Sequence, residues 1–330
     1  DTSIESYKKA LAINPDHSEA YYNMGVAFED QGKLKEAIEV YKKALALDPY
    51  YVQAHFSMGN ALKDQCQLDE AIQAYTKALT LKPDYTEVLN NMGNVLRNQG
   101  KLEEAIEAYT KVLVLNPEHS DAYNNMGIAL KEAGKLEEAI EAYNKALVIN
   151  PDYAAAYCNM GVALAEQSKL DEAITAYRNS LLLNSDDAEV HYNMGGAFVG
   201  QGNLEAAIVS YKKALSLNSD YADAYNNIGN IFADQGKLEE AIESYSKALA
   251  INPDYGDAHN GLSFALLNAG ELKRGLDEYE WRWKSTKYIS SKRHFSQPLW
   301  DGQKSLQNKK ILLWCEQGVG DTINWASCLP

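Results

Sequence analysis

Residues 18–51 read SEAYYNMGVAFEDQGKLKEAIEVYKKALALDPYY, and residues 120–153 read SDAYNNMGIALKEAGKLEEAIEAYNKALVINPDY. The same pattern recurs along most of the chain, with a glycine every 34 residues at Gly25, Gly59, Gly93, Gly127, Gly161, Gly195 and Gly229 and no insertion between them. A fixed period of this length belongs to stacked helical hairpins, not to a single globular core. Inside one period two apolar sets alternate. Ala20, Tyr21, Met24 and Phe28 recur at helical spacing, and after Gly32 so do Leu34, Ala37, Ile38, Tyr41, Ala44 and Leu45. Each set is one face of an amphipathic helix.

The punctuation agrees with two helices per period. Gly32, Gly100, Gly134, Gly202, Gly236 and Gly270 stand where the first helix stops, and Cys66 and Ser168 replace that glycine in two copies. A left-handed residue is expected there, so the two non-glycines predict local strain. Pro15, Pro49, Pro83, Pro117, Pro151 and Pro253 end the second helix, with Ser185 and Ser219 in the remaining copies. Small residues at Gly25 and Ala37 are expected to let the paired helices approach. The tyrosine row Tyr41, Tyr75, Tyr109, Tyr143, Tyr177, Tyr211 and Tyr245 is expected to fill gaps between neighbouring hairpins.

The pattern Tyr21–x2–Met24–Gly25–x2–Phe28, then Ala37–x3–Tyr41–x2–Ala44 and Pro49, resembles the tetratricopeptide repeat over about residues 1–285. Residues 1–17 match a second helix alone, so the chain is expected to begin inside a repeat. Seven complete copies run from 18 to 255, and a degenerate eighth copy with a cap occupies 256–285. There Ser263 holds the glycine place and Gly275 the alanine place. The expected fold is an all-α, right-handed superhelical solenoid. A single hairpin cannot bury its own apolar face, so stacking has to do it.

Past residue 270 the composition shifts. All five tryptophans (Trp281, Trp283, Trp300, Trp314, Trp325) fall there, and Trp281 and Trp283 are expected to close the end of the stack. Residues 286–309 read as a linker. Residues 310–330 read as strand, turn and helix, the truncated start of an α/β domain, with Gly318, Gly320 and Asp321 as a possible phosphate or acceptor loop. The run Gln297–Gly302 with Lys310–Thr322 resembles bacterial proteins that join these repeats to a glycosyltransferase of the two-lobed nucleotide-sugar type. That resemblance implies a place for Asp321 near an acceptor cleft; its plainer role is the cap of its helix.

The strongest candidate for function is a row of asparagines: Asn23, Asn91, Asn125, Asn159, Asn193 and Asn227, with Ser57 the exception. At about 100° per residue these lie roughly opposite the Tyr21, Met24, Gly25 arc of the first helix. A carboxamide can pair with a peptide N–H and C=O together, so such a ladder suits an extended chain of any sequence. The other reading is that the amides bridge adjacent helices. The row resembles the arm of O-linked N-acetylglucosamine transferases, which implies peptide binding on the inner surface. Beside it run acidic rows, Glu19, Glu87, Asp121, Glu189 and Asp223, then Asp30, Asp64, Glu132, Glu166 and Asp234, while Lys63, Arg97 and Lys131 form a basic stripe in consecutive copies. Tyr22, Phe56 and Tyr192 offer apolar anchors. The predicted site is an acidic groove with a basic patch, fitted to a basic peptide with one acidic anchor.

The chain has 330 residues and a formal charge of −15, and the imbalance sits in the repeats. Such a surface repels phosphate backbones and argues against nucleic acid. The longest apolar runs fall far short of the roughly 18 residues of a membrane span, and the first residues carry no signal-peptide core. Cys66, Cys158, Cys315 and Cys328 have neither zinc nor disulfide-framework spacing, which points to a reducing, cytoplasmic setting. The six histidines (His17, His55, His119, His191, His259, His294) form no metal pair and are expected to be exposed or in linkers. No cofactor motif is present. Two functions stay open, a protein-binding scaffold without chemistry and the recognition arm of a glycosyltransferase. Self-association through the repeat ends is a third reading.

Overall fold

A computed structural model describes residues 2–284. The Gly318, Gly320 and Asp321 loop, the linker at 286–309 and the strand expected at 310–330 lie outside these residues, as do the side chain of Trp283 and the last three tryptophans. The described residues are all helical, with no strand among them. In order, the helices are α1 (Thr2–Ile13), α2 (Ser18–Glu29), α3 (Leu34–Leu47), α4 (Val52–Asp64), α5 (Leu68–Leu81), α6 (Thr86–Asn98), α7 (Leu102–Leu115), α8 (Ser120–Glu132), α9 (Leu136–Ile149), α10 (Ala154–Glu166), α11 (Leu170–Leu183), α12 (Ala188–Gly200), α13 (Leu204–Leu217), α14 (Ala222–Asp234), α15 (Leu238–Ile251), α16 (Gly256–Asn268) and α17 (Leu272–Tyr279). A 3₁₀ turn, Glu280–Lys284, follows. The chain divides into two compact units, Asp1–Ser210 and Tyr211–Pro330, with the division inside α13.

In the first unit each even-numbered helix pairs with the next, α2 with α3 through α10 with α11, and each pair leans on its successor. The pairing has a steric cause. Tyr41, Tyr75, Tyr109, Tyr143 and Tyr177 are almost wholly buried. The ring of Tyr109 lies over the backbone of Gly93 so closely that a Cβ there would meet ring atoms at 2.6–3.0 Å. Gly25, Gly59, Gly127 and Gly161 meet Tyr41, Tyr75, Tyr143 and Tyr177 in the same way. The tyrosine thus fills a notch in its own hairpin, where the glycine is absent bulk beneath a ring, and it also packs on the next hairpin, Tyr109 sharing a buried cluster with Ala129. Buried alanines, among them Ala37, Ala71, Ala105, Ala139 and Ala173, complete the seam. Fully burying one such large side chain is worth about 1.5–3 kcal/mol, repeated at every period.

Between the helices of a hairpin, Gly32, Gly100 and Gly134 adopt φ of 69°, 73° and 75°, while Cys66 and Ser168 are held at 59° and 60°. The two non-glycines therefore sit in the left-handed region that a Cβ disfavours. The amide following this residue closes the turn, as where Lys101 N donates to Leu96 O at 2.9 Å.

The second unit contains α14 packed on α15 and α16 on α17. Its last hairpin trades the small residues: Ser263 stands in the glycine place and donates its hydroxyl to Gly275 O at 2.7 Å, wholly buried. Gly261 instead accommodates Tyr245. The Trp281 ring stacks on His259, centroids 4.0 Å apart and planes 11° apart, and His259 also meets Glu278 and the Pro253 carbonyl.

Candidate functional site

The asparagine row of the first unit sits on the first helices, half-buried, and it is tied into the stack. Asn91 Nδ2 donates to Asn60 Oδ1 at 2.9 Å, Asn125 Nδ2 to Asn90 Oδ1 at 3.2 Å, and Asn159 Nδ2 to Asn124 Oδ1 at 3.0 Å. Each bond runs back to the first helix of the preceding hairpin. Asn193 meets the Cys158 thiol in the same register, and Ser57 meets the Tyr41 hydroxyl. Asn23, on the first of these helices, makes none of these bonds to a preceding hairpin. The bridging role and an exposed face therefore coexist. One N–H of an amide fixes the spacing of neighbouring hairpins; at Asn125 and Asn159 the carboxamide keeps its carbonyl oxygen and second N–H for other use, whereas Asn91 also meets the Tyr75 hydroxyl.

A second asparagine row lies one turn further on and was missed in the sequence reading. Asn60 and Asn94 accept from the buried hydroxyls of Tyr75 and Tyr109, each at 2.7 Å. Asn60 thus satisfies its own tyrosine and the next hairpin's Asn91 together. The available signal was an asparagine 15 residues before a row tyrosine. In the first hairpin Glu29 takes that duty, accepting from Tyr41. Burial holds the Glu29 carboxyl above the usual carboxylate range; the Tyr41 bond opposes this, and Asp64 and Asp30 add to it.

Tyr22 and Phe56 are packed, not free. Tyr22 lies 4.9 Å from the Tyr51 ring and 5.8 Å from Tyr41, and Phe56 lies 5.3 Å from Tyr85. Tyr192 is likewise half-buried. The acidic residues Glu19, Glu87, Asp121 and Glu189, with Asp30, Asp64, Glu132 and Glu166, are exposed. Asp121 accepts from Tyr153, whose hydroxyl is pushed up to about 12 by burial and then by that bond. The basic stripe is half-buried. Lys63 Nζ lies 3.2 Å from Asp64, and Lys131 Nζ lies 3.7 Å from Glu166 of the next hairpin. Arg97 has no carboxylate within 4 Å among the described residues.

His17 is exposed, and His17 and His119 lie in the loops before α2 and α8 as expected, while His55 and His191 are half-buried and His259 is buried. His17 and His119 accept at Nδ1 from Ala20 N and Ala122 N, capping α2 and α8. His55 and His191 place Nε2 3.0 and 3.2 Å from the Pro49 and Ser185 carbonyls, closing the preceding loop. No group of three or more potential metal ligands exists among the described residues. No described helix is long and apolar enough to cross a membrane.

The second unit carries the same face by itself. Asn227 Nδ2 lies 3.4 Å from the Tyr211 hydroxyl, Asn230 Oδ1 accepts from Tyr245 at 2.8 Å, and Asp223 accepts from Tyr255. Asp234 is exposed.

Hairpins of this length, with a ring-in-notch seam at each period, define a tetratricopeptide-repeat protein. The TPR repeat model matches at residues 1–32 and 27–66. A family model described as the Cilia and flagella-associated protein 70 C-terminal domain matches residues 49–261, and the chain belongs to this family of repeat domains. Among solved structures, a tetratricopeptide repeat protein from Parabacteroides merdae is 21% identical, with 76% of this chain and 98% of that one covered and a TM-score of 0.61. The Cut9–Hcn1 hetero-tetramer of the APC/C is 21% identical over 80% of this chain and 52% of that one, with a TM-score of 0.58. Pseudomonas aeruginosa pilF is 22% identical over 61% and 92%, with a TM-score of 0.53. Likeness at these identities concerns the fold. No curated protein matches.

Proposed function

We propose that this chain is a binding scaffold that performs no chemistry, and that the first-helix face of its first unit holds an extended segment of a partner protein. The observation that carries this reading is the half-used amide row. Asn125 and Asn159 each give one N–H to the neighbouring hairpin, which fixes their spacing and leaves a peptide-matching carbonyl and N–H, while Asn91 meets both Asn60 and the Tyr75 hydroxyl. The exposed carboxylates on either side favour a basic segment through long-range attraction, screened by salt. Tyr22 and Phe56 add a half-buried aromatic border at the N-terminal end.

The test is titration of a short Lys/Ser peptide, its Glu/Ser counterpart and a neutral Gln/Ser peptide against the chain at low and high salt, read by fluorescence anisotropy. Binding of the basic peptide that weakens steeply with salt supports the reading. Equal weak binding of all three refutes it. The double variant Asn125→Ala/Asn159→Ala should lower the affinity of every peptide that binds, because backbone recognition is indifferent to side chains.

A second reading, the recognition arm of a glycosyltransferase, is carried by the run Gln297–Thr322 in the sequence. A reading frame continuing into a second α/β lobe, with sugar transfer to a peptide held by the repeats, would support it. Both readings place the chain in a reducing cytoplasm. Self-association through the repeat ends is tested by light scattering at two salt concentrations; a salt-independent monomer excludes it.

A further inference from the structure

We infer that Arg97 is an anchor for one acidic side chain in an otherwise basic segment lying on the first-helix face of the first unit. This rests on the binding reading above and adds a single subsite to it. The place on the first helix held by Arg97 reads Glu29, Lys63, Arg97, Lys131, Ala165 along the unit. All three cations are half-buried, and two have a carboxylate at hand, Asp64 for Lys63 and Glu166 for Lys131. The next place on each helix explains the exception. It reads Asp30, Asp64, Asn98, Glu132, Glu166, so the acidic row lapses in the very hairpin that carries the arginine.

A guanidinium that has shed part of its water and found no carboxylate is costly to hold. Arg97 acts electrostatically on the hydroxyls of both Tyr109 and Tyr143. Tyr109 donates to Asn94 at 2.7 Å. Tyr143 is wholly buried, and its hydroxyl has no hydrogen-bond partner among the described residues. The reason is sequence: Ile128 stands where Asn60 and Asn94 accept for their own tyrosines.

The planar fork of donors of the half-buried Arg97 guanidinium is the complement of a carboxylate. Glu132 and Glu166 also act on Tyr143. Together with the exposed rows on either side they exclude a polyanion, which would meet carboxylates in both directions along the face. One isolated acid flanked by lysines or arginines satisfies both the anchor and the rows. A phosphate-rich or uniformly acidic chain satisfies neither.

The experiment uses the full chain and two capped Lys/Ser peptides that differ only in a central Glu or Gln. With the native protein the Glu peptide is expected to bind roughly tenfold tighter, the worth of one charge-assisted bidentate contact. Arg97→Gln should abolish that preference and leave the Gln peptide within about twofold of its native affinity. Arg97→Glu should invert the preference toward a central Lys. Since Arg97 is bonded to no carboxylate, both variants are expected to keep the native helical signal and melting curve. A Glu preference that survives Arg97→Gln, or its absence in the native protein, overturns the anchor and leaves the groove reading standing. Failure of either peptide to bind at all overturns both.

Discussion

Replacing Gly93 by alanine tests the seam that holds the hairpins together. Helix propensity alone says the change should stabilise, since glycine inside a helix costs about 0.5–1 kcal/mol relative to alanine. The structure reverses that sign. The added Cβ would stand 2.6 Å from Tyr109 Cε1, 2.8 Å from Cζ and 3.0 Å from Cδ1. The ring has nowhere to go: it is wholly buried and its hydroxyl is bound to Asn94. Overpacking of this kind costs typically about 1–3 kcal/mol. After the propensity gain, a net loss of about 1–2 kcal/mol is expected. Urea unfolding followed by helical circular dichroism gives the overall change. Amide exchange across α6 and α7 shows whether the loss is local, because stacked repeats open in segments and a single unfolding energy does not describe them. The deciding measurement is a double-mutant cycle with Tyr109→Leu, which removes the ring edge. Gly93→Ala should cost much less in that background, with a coupling of about 1–2 kcal/mol. If Gly93→Ala stabilises the native protein, or if the two changes are additive, the ring-in-notch account is wrong.

Cys66→Gly and Ser168→Gly should each stabilise by about 1 kcal/mol, seen as a raised melting temperature, because φ of 59° and 60° strains any residue with a Cβ. Asn60→Ala should destabilise by about 1–3 kcal/mol in chemical denaturation, since the buried Tyr75 hydroxyl and the Asn91 amide lose their acceptor together. Glu29→Gln should stabilise at neutral pH and have little effect in acid. Burial raises this carboxyl in the folded state, so between its unfolded and folded pKa values the folded chain binds the extra proton, and stability falls as pH rises through that window. Melting curves of the two proteins across acid to neutral pH should converge at the acid end. Iodoacetamide with peptide mapping should label Cys66, which is exposed, well before Cys158, whose thiol is pushed up to about 12 by burial and then by Glu189 and Asp187.

Periodicity by itself determined the hairpins. A glycine, a tyrosine and a proline at constant spacing leave the chain one way to bury its apolar faces, and helix geometry converts that spacing into two stripes. The left-handed residue after each first helix was legible for the same reason, because a local turn needs a local residue. What each side chain touches was decided only by the tertiary structure. Each tyrosine enters the notch of its own hairpin while it also packs on the next one, since a ring and a missing Cβ that lie 16 residues apart meet only once the helices cross. The asparagines were legible as a row, yet a wheel drawn on one helix cannot show that the preceding hairpin brings an acceptor within 3.2 Å. Charge followed the same rule. The sequence puts Asp64 beside Lys63 and Asn98 beside Arg97, but only the fold brings Glu166 to Lys131, because that pairing depends on distance across the stack.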